Sequence, residues 1–310
     1  MRGAVNGAVE TRVQREIAVF KLDRTEVERA SRGFFRTTAV RLSRRRTSAV
    51  AGAILVVIVL AAVFAPLISP YPPTKMSVDR FSGPTPVHLM GTDEVGRDLL
   101  SRVLYGSRVS ISVSFLAVCM AVLVGVPLGV AAGFRGGVTD DMIMRVLDGF
   151  LAVPPILLAL ALLAALGPSI SNATLAIGVL GAPLIARISR AAMLVEREKD
   201  YVLASRSIGG SDWHVVTRSI MPNILAPLIV TASLLAANAI LLEAALSFLG
   251  LGVQPPDASW GSLIQLGYGH IARSTWYSTF PGLAIFLTVW SLNILGDGLR
   301  DALDPRLRNI

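Results

Sequence analysis

Residues 187–222 read RISRAAMLVEREKDYVLASRSIGGSDWHVVTRSIMP, a polar and basic stretch of helix-forming residues. On either side lie segments apolar enough to sit in lipid, so a membrane bundle does not need this insert for its own burial. Gly209 and Gly210 interrupt it, Ser211 offers a fresh N-cap, and Pro222 reads as a stop. The pattern predicts two short amphipathic helices that form a compact knob on one side of a membrane. The chain is therefore read as an all-α integral membrane protein with this knob as its main solvent-facing feature.

Composition agrees. The 310 residues are 53% apolar and only 16% charged, and the apolar residues come in blocks long enough to cross a bilayer. Ala49 to Ser69 (AVAGAILVVIVLAAVFAPLIS) is the first block, and roughly 20 apolar residues cover a hydrocarbon core of about 30 Å. It starts too late and runs too long for a cleaved signal peptide. Further spans are predicted at about 109–134, 143–166, 170–186, 222–242 and 280–295. The second holds Gly125, Gly129 and Gly133 at intervals of four, a small-residue face for close helix contact. The third holds Asp148 and Pro154–Pro155, the fourth Pro183, and the fifth ends at Glu243. Before the second span, Asp98 is placed to cap a short helix with an apolar face of Leu99, Leu100, Val103 and Leu104. Trp260, Tyr268, Trp276 and Tyr277, in the loop at 250–279, suit a membrane–water boundary. The lone Cys119 lies within an apolar block and forms no intrachain disulfide.

Six spans put both termini on one side. Of the 29 Lys and Arg residues, twenty-three fall in residues 1–48, the loops at 135–145 and 187–218, and the C-terminus. That asymmetry places both termini and the insert in the cytoplasm. The net charge of +8 is segregated in this way, which fits membrane orientation and speaks against a nucleic-acid partner. Within the tail, Ala30, Phe34 and Phe35 lie among arginines as in an interfacial helix over 27–40, while residues 1–25 read equally as a disordered basic tail.

The insert resembles the EAA loop of ABC importer permeases, E-A-A-x3-G-x9-I-x-L-P. Leu203, Ala204 and Ser205 occupy the E-A-A positions, Gly209 the glycine, and Ser219, Met221 and Pro222 the isoleucine, leucine and proline. The glycine-to-proline spacing is kept, whereas glutamate, the second alanine, isoleucine and leucine are replaced. HLMGTDEVGRDLLSRVLYGSR (88–108), EAALSFLGLGVQPPDASWG (243–261) and LGDGLRDALDPRLR (295–308) resemble, in the same order, segments of the DppC/OppC-type permeases for dipeptides and oligopeptides. The resemblance covers about residue 40 to the C-terminus. It implies six helices in the type I ABC importer permease fold, in a bacterial inner membrane. The implied divisions are a tail at 1–48 with its interfacial helix, a first span at 49–69, an extracytoplasmic loop at 70–108, a permease core at 109–298 and a tail at 299–310. The implied partners are a second permease of the DppB/OppB type, two ABC ATPase subunits or domains, an extracytoplasmic substrate-binding protein, membrane lipid and a peptide substrate. This chain has no G-x-x-x-x-G-K-[ST] loop, so ATP and magnesium are expected on the partner ATPases and no cofactor on this chain.

By the same resemblance, Ser211 to about Thr217 forms a coupling helix that docks in an ATPase cleft, with Ala204, Ser205 and Pro222 in its loop. Gly209 and Gly210 permit the backbone reversal. Trp213 and Val216 are candidates for the docking knob, with Asp212, His214 and Arg218 as polar contacts; the alternative for Trp213 is packing on the chain's own helices. Asp148 and Glu243 are the ionisable residues nearest the membrane interior. Asp148 either belongs to the translocation path or pairs with Arg145 on its own helix. Glu243 either meets a peptide ammonium at an outer gate or caps a helix in the outer loop. Asn238 is a further candidate for the path. Asp93, Glu94, Arg97 and Asp98 give the loop at 88–108 a mixed charge suited to the binding protein. A secondary transporter is the rival reading, but it calls for coupling-ion residues at mid-membrane, and the span centres are nearly free of carboxylates. A channel fits the composition and leaves the insert unexplained. His88, His214 and His270 all fall in loops, which removes an intramembrane protease.

Overall fold

The computed structural model describes residues 45–303. The interfacial helix expected over 27–40 and the end of the C-terminal tail lie outside them. Helix α1, Arg46–Val63, is separated by Phe64 from α2, Ala65–Ile68, because Pro66 cannot continue the ladder of α1. The expected first span is thus a helix with a kinked last turn.

The short helix expected after Asp98 and the second span are a single helix, α3, Leu99–Arg135. Nothing between Tyr105 and Ser110 breaks the backbone, and the exposed Arg108 lies over the Tyr105 ring. The third span does break. Helices α4, Gly137–Ala152, and α5, Pro155–Leu166, meet at 90°. The paired prolines force this, since each excludes helical conformation from the residue before it and removes a donor. Helix α6, Ile170–Glu196, is capped by Ser169, whose Oγ accepts from Asn172 N. It runs ten residues past the expected end of the fourth span and takes up the first part of the insert.

Two further departures concern the insert. Helix α7, Asp200–Ser207, is the one separate short helix that the described insert forms. Helix α8 runs without interruption from Asp212 to Phe248, through a π-helical turn at Val215–Ile220. Pro222 therefore does not stop a helix. The π turn just before it leaves the missing N–H of Pro222 without consequence, as at a helix start. Helix α9, Trp260–Tyr268, begins in a capping box formed by Ser259 and Ser262, and α10, Trp276–Leu303, extends into the tail expected from residue 299.

Helices α3 and α6 form the tightest seam of the bundle. A Cβ on Gly125 would lie 2.6 Å from Ala182 O, one on Gly129 2.1 Å from Ala186 O, and one on Gly133 2.8 Å from Met193 Cβ. The small-residue face read from the sequence is therefore used within the chain, and it lets two backbones approach to a distance no other residue permits. Three buried clusters follow the bundle axis. Leu99, Ile240, Trp260 and Tyr277 lie at the α9 end, Val113, Leu163, Ile177 and Leu246 in the middle, and Ile185, Met193, Val202, Val215 and Ile220 at the α7 end. Counting the bent pair as one, six segments among the described residues are long and apolar enough to cross a membrane. Arg45 pairs with Asp301, so both ends of the described chain meet at the same end of the bundle.

Candidate coupling surface and translocation face

At the α7 end the insert forms an elbow. Gly209 N donates to Arg206 O at 2.9 Å and Gly210 N to Ser205 O at 3.0 Å, which closes α7 in a Schellman arrangement. Gly209 sits at φ +83°, in the left-handed region where a side chain is disfavoured. Ser211 then caps α8, its Oγ accepting from His214 N at 3.3 Å, as the sequence predicts.

The elbow is anchored by Val202, Val215 and Ile220, all buried, and it turns other apolar groups outward. Trp213 is 78% exposed and Ile208 87% exposed. Trp213 therefore does not bury itself on its own chain. Its ring borders a cleft of about 540 Å³ whose other wall is Val126, Val130 and Phe134 of α3. Asp212, His214, Arg218, Ala204 and Pro222 are exposed, whereas Ser205 and Val216 are half-buried behind them. Ile208 escapes sequence reasoning because it belongs to no amphipathic stripe; its position directly before a glycine pair is the only signal.

A clamp holds the elbow to the spans. Glu196, at the end of α6, accepts from Lys199 Nζ and from Tyr201 Oη, both at 2.6 Å. Tyr201 Oη in turn accepts from Asn223 Nδ2 of α8 at 3.1 Å. Burial, aided by the Glu196 carboxylate, pushes the Tyr201 phenol up to about 12, so it stays protonated and remains the donor. The arginines of α6 extend the clamp. Arg197 Nη1 donates to Gly133 O at 2.7 Å, Arg190 makes a two-point pair with Asp140, and Arg187 pairs with Asp148. Asp148 thus meets Arg187 of the neighbouring helix rather than Arg145 of its own, because α4 lies along α6.

At the α9 end, the loop carrying Asp93, Glu94, Arg97 and Asp98 is tightly folded, and the expected solvent-facing surface of mixed charge does not form there. Asp93, with no exposed surface, bonds Arg97 Nε and Arg102 Nη1, each at 2.6 Å, and accepts from the backbone N of Val95 and Arg97. Asp98 is equally buried. It caps α3 through Ser101 N at 2.8 Å and bonds His88 Nδ1 at 2.9 Å. Glu94 bonds Arg97 Nη2 and accepts from Tyr277 Oη, which joins the loop to α10. The charges satisfy one another because a buried ion without a partner is costly.

Glu243 is displaced from its expected place as well. Helix α8 continues five residues beyond it, and the residue is 1% exposed. Its carboxylate accepts from Ser110 Oγ at 2.9 Å and Ser247 Oγ at 2.8 Å, and Ser110 Oγ accepts from Trp260 N, the first N–H of α9. Of the two roles read from sequence, helix capping is the nearer, relayed through one serine. Asn238 does lie open on α8, its Nδ2 donating to Leu234 O at 3.2 Å.

The family described as binding-protein-dependent transport system inner membrane component matches residues 125–309, which contain α4 to α10 and the whole of the elbow. The chain belongs to this family. Residues 33–84 match the N-terminal TM domain of oligopeptide transport permease C. The dipeptide transport system permease protein DppC of Escherichia coli is 49% identical over 273 residues, covering 86% of this chain and 91% of that protein. A putative peptide transport system permease protein of Brucella suis is 47% identical over 272 residues, 87% of this chain and 92% of that protein. An inward-facing structure of the MetNI methionine ABC transporter aligns with a TM-score of 0.54 at 20% identity, covering 66% of this chain and 96% of that one. The chain therefore has the all-α fold of an ABC importer permease and is a multi-pass membrane protein.

Proposed function

We propose that this permease carries di- and oligopeptides into the cell in an ATP-driven importer, and that the elbow at Gly209–Arg218 is the point where ATPase motion enters it. The observation that carries the proposal is the elbow itself, a capped and clamped helix start that presents Trp213 and Ile208 to solvent on a base of buried Val202, Val215 and Ile220. Large apolar groups held rigidly outward are what a partner's cleft binds well. The chain contributes no phosphate loop, so hydrolysis belongs to two ABC ATPases, which hold ATP and magnesium. A second permease of DppB/OppB type completes the path, and a substrate-binding protein delivers peptide at the α9 end. Both termini and the elbow face the cytoplasm of a bacterial inner membrane. Peptide cargo is the reading favoured by the names of relatives at 47–49% identity.

The test is co-purification from cells that co-express the neighbouring transporter genes, followed by ATPase assay in lipid. The ATPases should remain with the chain, and peptide together with binding protein should stimulate ATP turnover. A chain that moved peptide alone, down an ion gradient and without nucleotide, would establish the secondary-transporter reading instead.

A further inference from the structure

Helices α8 and α10 share a face that no other described residue covers. On α10, Leu283, Phe286, Trp290 and Asn293 follow one another at helical spacing and are all exposed. Phe286, Trp290 and Asn293, with Val289 of the same helix and Leu241 of α8, border a cleft of about 450 Å³, within the range of small-ligand sites. Asn238 lies one turn along α8 from Leu241. Both asparagines fall well inside membrane-spanning helices. Asn293 Nδ2 donates to Val289 O at 2.9 Å, as Asn238 Nδ2 does to Leu234 O. Each carboxamide keeps its oxygen and one N–H without a partner among the described residues.

Such groups are poorly placed against lipid, which can neither donate nor accept. Nor is the face shaped as a helix seam. Seams are built from small residues, as the glycines of α3 show, whereas this face carries Phe286 and Trp290 around a hollow, with Leu283 exposed beside them. We propose that Asn238 and Asn293 are specificity-determining residues that hydrogen-bond the peptide group of the transported substrate, while Phe286 and Trp290 supply the apolar wall for its side chains. A carboxamide offers one donor and one acceptor, the complement of a peptide C=O and N–H, and it ignores side-chain identity. This rests on the peptide-importer reading above.

The complete transporter, with its second permease, ATPases and binding protein, is reconstituted in lipid vesicles. Labelled alanyl-alanine taken up is then measured against ATP consumed. Asn238→Leu and Asn293→Leu should each lower dipeptide moved per ATP by about five- to tenfold, the effect of one lost hydrogen bond, and Asn293→Gln should recover part of the loss. A general structural defect would depress uptake and ATP turnover together and leave their ratio alone. An unchanged ratio in both single variants and in the double variant overturns the inference and leaves the importer reading standing. Loss of the second permease from the purified variants makes this face a subunit seam and also overturns it. A wild-type complex that couples ATP to transport but moves no dipeptide sinks the peptide reading and the inference together.

Discussion

Asp93 holds two guanidinium groups at once with no surface of its own exposed, and this sets the residue scale of the molecule. Its pairs with Arg97 and Arg102 cross from the loop into the first turn of α3, and Arg102 is itself buried. A buried ion pair of this sort adds little net stability over an apolar replacement, but removal of one partner leaves the other uncompensated. Asp93→Ala should therefore cost about 3–5 kcal/mol, seen as a lower unfolding temperature and poor recovery of the detergent-purified chain. A variant as stable as wild type would mean that Arg102 finds water or lipid headgroup instead. The sequence displayed these residues as a mixed-charge loop. It could not show that Gly91 and Gly96 bend the loop back on itself, where a Cβ on Gly96 would stand 2.2 Å from Ser77 O. That closure turns an apparent surface into an interior.

Elements of the chain show the same limit from another side. Each helix that crosses the membrane is visible as an apolar block, but the breaks at Phe64 and at Val153–Pro154 are not part of the sequence reading, which gives 49–69 and 143–166 as single spans. Continuity was harder to see. The polar residues of 187–196 and 212–221 read as parts of separate short helices, yet they extend α6 and α8 beyond the apolar blocks, with the clamp around Glu196 and Tyr201 supporting them. The elbow is thus two projecting span ends bridged by α7, a stiffer lever than a free knob. Gly209 and the Ser211 cap were read correctly because both are local signals. The outward turn of Trp213 needed the fold. At 78% exposure its removal should change stability by no more than about 0.5 kcal/mol. Trp213→Ala should nonetheless lower peptide-stimulated ATP turnover at least tenfold, since an aromatic anchor in a partner's cleft accounts for much of the contact energy. Normal stimulation in this variant would place the docking contact elsewhere, with Ile208 the next residue to change.

For the whole molecule, the question is which way the bundle points. Arg45 and Asp301 bring both ends of the described chain to the elbow end, and the sequence holds twenty-three of its 29 lysines and arginines in the two tails and the segments 135–145 and 187–218. Cationic residues are retained on the cytoplasmic side during insertion, and carboxylates have little say. The α6 arginines are tied to Asp140 and Asp148, but carboxylates contribute little to the orientation rule, so those pairs do not weaken the signal. Orientation can be read chemically. With Cys119 replaced by alanine, a single cysteine is placed at Ser211 or at Val78, which is 93% exposed in the loop before α3. A membrane-impermeant maleimide applied to intact spheroplasts should label Val78→Cys at once and Ser211→Cys only after the membrane is opened. The reverse pattern would put the elbow outside the cell, beyond the reach of any ATP-hydrolysing partner, and the coupling role assigned to Trp213 would fall with it.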